Sequence, residues 1–314
     1  MMKPLIAIFT TLLLAFGAHA KQPLLSPAEL SPKLGTPTLR ILDIRDPKSY
    51  AENHIQGALN APYGKWRGPK ENPGELPSLA KLTDLVQSLG LSPQNHIVVV
   101  SSGADETDFG AAARVYWTLK VLGLEQLSIL NGGVKAWNAA KLPLDKAIPT
   151  VSKSDYQPQI NYALITSKDD LAKKSADGSA VLVDARPSAF FKGDTRHQAA
   201  KLPGTLKGAV NVEHSKWFDA SSPTFTNPEA AKKIAANSNL NSDTEIVSFC
   251  NTGHWAATNW FAMSEILGKK NVSMYAGSMV DFTKDPNVPA MANVPNRGKQ
   301  LWIDLKLWLE RTFG

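Results

Sequence analysis

The second half of this sequence repeats the first, and that duplication limits the chain to folds that can be built twice. "LDIRDPKSY" at 42–50 aligns with "VDARPSAFF" at 183–191, placing Asp43 over Asp184 and Arg45 over Arg186. "IQGALNAPYGKWR" at 55–67 aligns with "LKGAVNVEHSKWF" at 206–218, and "LSILNGGVKAW" at 127–137 with "VSMYAGSMVDF" at 272–282. Between them "HIVVVSSGADETDFGAAARVYW" matches "EIVSFCNTGHWAATNWFAM". The offset drifts between 141 and 151 residues, as small loop insertions produce. A period near 145 is too long for a solenoid and describes a duplicated domain. A chain of 314 residues also exceeds the size at which single cores stop growing. The expected organisation is one copy over 21–146, a polar, proline-bearing linker over 147–161, a second copy over 162–290 and a tail over 291–314.

Within each copy, short β-branched runs such as "RILDI", "IVVV" and "LSIL" alternate with helical segments closed by glycine. That alternation predicts an α/β fold in which a mostly parallel sheet is covered by helices on both faces. The tail segment "KQLWIDLKLWLERTF" sets Leu301, Leu305, Trp308 and Leu309 on one helical face, which predicts docking of that face on a domain.

Residues 1–20 stand apart from both copies. Lys3, an apolar run over 5–16 and "AHA" at 18–20 form the pattern of a cleavable secretory signal, with Lys21 as the new first residue. The apolar run is too short to span a bilayer, and no other segment approaches the necessary length. The expectation is an exported protein, periplasmic or secreted, without stable membrane insertion after cleavage. Net charge is +6, but the lysines and arginines are scattered and form no stripe of the kind nucleic-acid binders carry. The charge supports attraction for small anions and nothing larger. Oligomeric state is not readable.

A single cysteine, Cys250, cannot form an internal disulfide. It ends the strand-like "EIVSF" and opens "CNTGHW", the turn into a helix, and ligands of parallel sheets bind where loops leave the carboxyl ends of strands. Gly253 permits a tight bend there, and such a bend gathers main-chain N–H groups into an anion-binding nest that favours a thiolate. The alternative is a small buried hydrophobe. The repeat offers a control: the first copy has Ser101 at this position, followed by Asp105 and Glu106, acids that repel an anion. One copy reads as equipped for chemistry and the other as disarmed.

In these segments the chain resembles the tandem-domain rhodaneses, sulfurtransferases in which a catalytic second domain follows an inactive first domain. The likeness spans roughly residues 24–290 and rests on "LDIRDPKSY" with "HIQGALNAP", "VDARPSAFF" with "GTLKGAVNV", "FCNTGHWAA", "NGGVKAW" and "YAGSM". The resemblance implies that Cys250 takes a sulfane sulfur from a small anionic donor, thiosulfate or 3-mercaptopyruvate, and passes it to a thiophilic acceptor such as cyanide or a thiol. It implies no metal and no organic cofactor. Asn251, Thr252, Gly253, His254 and Trp255 then form the substrate cradle, and Arg186 and Arg196 are donor-binding candidates. Arg186 has a competing reading: Arg45 stands at the same place in the first copy, which suggests that Asp-x-Arg ties a strand end to its own domain.

Two departures from the family pattern bear on the donor. The arginine usual four residues after the "DAR" segment is Phe190, and the histidine of a "GHIPGA"-like segment is Thr205. Arg196, Lys192 or a protonated His254 are the replacements the sequence offers. Trp255 either lines the pocket or packs on the first domain, and the Pro/Gly-rich insertion "KWRGPKENPG" at 65–74 in the first copy is expected to reach the pocket across the domain interface. A phosphatase-like reading fails because the sixth residue after the cysteine is Ala256 rather than arginine. A persulfide carrier or sulfur-compound binding protein with little turnover is the remaining rival.

Overall fold

The computed structural model describes residues 22–219, 222–240, 243–285 and 291–313. The signal-like residues 1–20 lie outside them. Five parallel strands form the first sheet, in the order Leu24–Leu25, Leu127–Leu130, His96–Val100, Leu39–Asp43 and Ala58–Asn60. Four form the second, Val210–Asn211, Val181–Asp184, Ile246–Phe249 and Val272–Met274, also all parallel. Each strand of the second sheet takes the place of its repeat counterpart in the first.

Side chains alternate across each strand, so consecutive apolar residues feed opposite faces. Ile41, Val98 and Val100 pack with Leu30, Tyr50 and Trp137, while Leu42, Ile97 and Val99 pack on the other side with Leu82, Val86 and Val115. In the second domain Leu182, Val247 and Phe249 meet Leu171 and Met279, and Val183 and Ile246 meet Ala231 and Trp260. Both sheets are thus covered on both faces. The Asp-x-Arg segments are duplicated to the atom. Arg45 Nη2 donates to Asp43 at 2.6 Å and to the Asn53 carbonyl at 2.6 Å. Arg186 Nη2 donates to Asp184 at 2.6 Å and to the Gly204 carbonyl at 2.8 Å.

A single apolar cluster runs through both domains. Its centre is the contact between helix Glu106–Val121 of the first and helix Trp255–Phe261 of the second, the two helices that follow equivalent strands. Phe109 and Tyr116 lie edge-on to Phe261 at 5.6 and 5.1 Å, and Tyr116 Oη donates to Glu265 at 2.6 Å. Burying side chains of this size contributes about 1.5–3 kcal/mol each, which joins the halves as one packed unit. Residues 147–161 carry no helix or strand, yet they are strapped to the first domain. Ser154 N donates to Gln87 O at 3.0 Å, and Tyr156 Oη to Leu122 O at 2.6 Å.

The tail departs from expectation. Met291–Ala292 pairs antiparallel with Thr205–Leu206, and Arg297–Phe313 is helical, but Leu301, Leu305, Trp308 and Leu309 are 41–55% exposed. The helix docks through its other side, where Ile303 is buried and Lys299 pairs with Asp194 at 2.6 Å; Asp304 pairs with Arg196 at 2.7 Å. Periodicity identified an apolar face correctly, but the anchors decided which face is covered.

Candidate active site

Strand Ile246–Phe249 delivers Cys250 to the sheet edge, and Gly253, at φ 66°, turns the chain into helix Trp255–Phe261. A side chain at Gly253 would meet Arg114 Nη1 at 2.3 Å and the Ala276 carbonyl at 2.4 Å. Cys250 is 1% exposed, yet it lines a cavity of about 230 Å³ together with Arg67, His197, Asn251, Thr252, His254 and Trp255. The cavity is smaller than the roughly 300 Å³ at which drug-sized sites begin, and suits a small ion. The thiol is therefore recessed: it packs on the apolar cluster shared by the two domains and also borders a small cavity of mixed lining. A larger cavity of about 380 Å³ lies against Asp105, Glu106 and Asp219, where carboxylates repel anions.

The expected nest is altered by one residue. Ser278, fully buried at φ 54°, accepts the N–H of Cys250 at 3.0 Å and of Gly253 at 3.1 Å. Its own proton goes to the Tyr275 carbonyl at 2.9 Å, with Cys250 Sγ 4.0 Å away. The amides of Asn251, Thr252, His254 and Trp255 have no acceptor among the described residues. In the first copy Gly133, at φ 56°, stands where Ser278 does, and Gly103 N donates to the Asp108 carboxylate at 2.6 Å. That loop already holds an internal anion. Asp105 also caps the following helix, and with Glu106 it lines the cavity at this loop, so Asp108 joins the two expected acids in closing the first copy to anions. Ser278→Ala is expected to leave two buried donors unpaired at about 1–3 kcal/mol each, and to lower the midpoint of urea unfolding measurably. An unchanged midpoint would remove Ser278 as the brace of this loop.

Arginines of the first domain hold the loop from beneath. Arg114 is fully buried; its Nη1 donates to Gly253 O at 3.1 Å and its Nη2 to Gly74 O at 2.8 Å. Burial, followed by the nearby Arg67, lowers its pKa to about 9. Arg67 Nη2 donates to Thr252 O at 2.9 Å, with the guanidinium 5.2 Å from the Tyr63 ring. Residues 65–74 do reach the site.

His254 Nε2 lies 2.7 Å from the Thr107 carbonyl and must donate to it, so Nδ1 accepts the Tyr63 hydroxyl at 2.7 Å. Desolvation, then Arg67, lowers the imidazole to about 3. His254 is neutral, which corrects its expected service as a cation. Between pH 6.5 and about 3 the unfolded chain binds the proton that folded His254 refuses. This contribution to stability is complete above pH 6.5 and is lost as pH falls toward 3. Urea midpoints at pH 7 and pH 5 should therefore converge in His254→Gln; an equal gap in variant and parent would contradict the assignment.

Trp255 does both things the sequence left open. It lines the cavity, stacks on His214 at 4.7 Å, meets Phe190 at 6.1 Å and donates to Thr107 of the first domain at 3.4 Å. Arg186 and Arg196 correct the expectation that they bind donor. Arg186 is 1% exposed and spent on Asp184, Gly204 and, at 3.4 Å, Asn251 Oδ1, so it positions the residue after the thiol. Arg196 bonds Asp304 and three carbonyls, and neither it nor the exposed Lys192 lines the cavity. His197, unflagged by the sequence, does; its Nδ1 accepts Ala199 N at 3.2 Å and its pKa is lowered by burial. A signal for Arg114 did exist, as the lone charge within the apolar "GAAARVYW".

A recessed cysteine on a loop between a parallel strand and a helix, held by a second copy of the same fold, defines a two-domain α/β protein with a single thiol site. The Rhodanese-like domain matches residues 26–140 and 167–285, and the chain belongs to that family. It is 30% identical over 266 residues to a thiosulfate sulfurtransferase of Azotobacter vinelandii, covering 84% of this chain and 95% of that one. A thiosulfate sulfurtransferase of Pseudomonas aeruginosa is 29% identical over 267 residues, with the same coverage. SseA from Escherichia coli, a 3-mercaptopyruvate sulfotransferase, superposes with TM-score 0.71 at 22% identity over 82% of this chain and 98% of that one. The anaerobic ergothioneine biosynthesis enzyme from Chlorobium limicola gives 0.76 at 19% identity, over 87% and 71%. These last two likenesses concern the fold alone.

Proposed function

We propose that this chain is an exported rhodanese-type sulfurtransferase that moves a sulfane sulfur through a Cys250 persulfide. One observation carries the reading: the only thiol of the sequence lies at a small cavity whose lining, among the described residues, includes an arginine and no carboxylate. The relatives named thiosulfate sulfurtransferase support thiosulfate as a donor, and the fold relationship to SseA keeps 3-mercaptopyruvate beside it. The Cys250 thiolate attacks the outer sulfur of thiosulfate; the Sγ–S bond forms, the S–S bond to the sulfonate breaks, and its electron pair leaves with sulfite. Cyanide then takes the outer sulfur as thiocyanate and returns the thiolate. Two half-reactions through a covalent intermediate give ping-pong kinetics, and their rates follow thiol–disulfide exchange chemistry.

Steady-state transfer to cyanide from each donor, with intact-mass spectrometry, tests this. Turnover together with an added mass of one sulfur atom is expected. The rival reading, a persulfide carrier, is favoured by Phe190 at the usual arginine position and by the bulk of Trp255 at the cavity; a stable adduct without turnover would select it. Export rests on the pattern of residues 1–20, and Lys21 as the first residue of protein recovered from a Gram-negative host tests it.

A further inference from the structure

We propose that Arg67, supplied by the first domain, binds the anionic oxygens of the sulfur donor and so takes over the task of the arginine that Phe190 replaces. The proposal rests on the sulfur-transfer reading and names the recognition element of the same site.

Four observations carry it. Among the described residues Arg67 is the only arginine lining the cavity that holds Cys250, and no carboxylate shares that lining. Its Nη2 is fixed on the Thr252 carbonyl at 2.9 Å, while its Nη1 is buried with no hydrogen-bond partner. A buried donor left unpaired is costly, and an anion entering the cavity that Arg67 lines would offer that side chain an acceptor. The charge itself is also unanswered. Arg114, lying behind the same loop, donates to main-chain carbonyls, so two like charges flank the site with no acid bonded to either among the described residues. An incoming anion lowers that repulsion.

The repeat supplies the fourth observation. Arg67 aligns with Phe218 in the second copy, so the duplicated fold does not require an arginine here. The first copy cannot use it for its own chemistry, because its loop has Ser101 in place of cysteine. Nor does the second domain offer a substitute: Phe190 packs against Trp255, and Arg186 and Arg196 are bonded elsewhere. The first domain is then a working half of the site, providing the recognition charge while the second provides the thiol. The shared ligand chemistry is a compact sulfur compound with an anionic oxygen group, either the sulfonate end of thiosulfate or the carboxylate of 3-mercaptopyruvate.

The test compares alkylation of Cys250 in the full chain by iodoacetate, which is anionic, and iodoacetamide, which is neutral and of similar size. In Arg67→Gln the iodoacetate rate should fall roughly 10- to 100-fold relative to the iodoacetamide rate, the worth of one charge-assisted hydrogen bond. Arg67→Lys, which keeps the charge, should retain most of the preference. KM for thiosulfate and for 3-mercaptopyruvate should rise in Arg67→Gln, and the donor with the larger rise is the one Arg67 holds. If both alkylation rates fall together in Arg67→Gln, Arg67 only braces the loop and the proposal is overturned. An unchanged ratio overturns it equally. Loss of the iodoacetate preference in a protein that turns over neither donor would defeat the sulfur-transfer reading and leave the anion site standing.

Discussion

Cys250→Ser is expected to abolish sulfur transfer, by on the order of 10⁴-fold or more, as removing a nucleophile does in covalent catalysis. The protein itself anticipates this substitution. Ser101 occupies the same place in the first domain, where Val134 N donates to the Ser101 carbonyl at 3.0 Å just as Met279 N donates to Cys250 at 3.0 Å. A hydroxyl thus fits the strand end without disturbing the fold, and the variant should melt at or near the parent temperature. It should also gain no sulfur mass on exposure to thiosulfate. Retained turnover would show that the chemistry lies elsewhere in the chain.

Arg114→Leu should produce the largest loss of stability among charged-residue variants. Two terms oppose one another. Removing a guanidinium whose charge is disfavoured by burial returns some desolvation energy, as its pKa near 9 indicates. Against this, the carbonyls of Gly253 and Gly74 each lose a donor in a site closed to water, at about 1–3 kcal/mol apiece, and a large buried volume is left unfilled. The second effect should win by roughly 2–4 kcal/mol, a fall in melting temperature of about 2–4 °C per kcal/mol for a chain of this size. Because the same nitrogens hold the loop of Cys250 to the insertion at residue 74, activity should fall with stability. A variant as stable as the parent, measured by calorimetry, would mean that those carbonyls find other donors.

The halves also differ in how they treat the same loop. In the first domain Asp108 fills the Gly103 amide with a permanent internal anion; in the second, Ser278 takes two amides with a neutral hydroxyl and leaves four others unpaired among the described residues. One loop is closed to anions by its own side chain. The other remains available, beside the only thiol.

Much of this was legible before any fold was drawn. Duplicated segments, the strand-helix alternation and the lone cysteine at a strand end are local patterns, and local patterns survive in a linear string because backbone periodicity writes them into residue spacing. The duplication also exposed Arg186 as the counterpart of a structural residue. What the string did not carry was the company each side chain keeps. Arg67 and Thr252 are 185 positions apart and bond only because the helices bearing Arg114 and Trp255 pack against each other. The neutrality of His254 follows from burial at the domain junction and from Arg67, while Tyr63 and Thr107 fix its tautomer, and all three of these residues belong to the other domain. The outward apolar face of the final helix was settled by Ile303, Lys299 and Asp304. Spacing along a chain records which residues share a strand or a helix; charge balance, burial and partnership arise from three-dimensional proximity, and here they were decided where two copies of one fold meet.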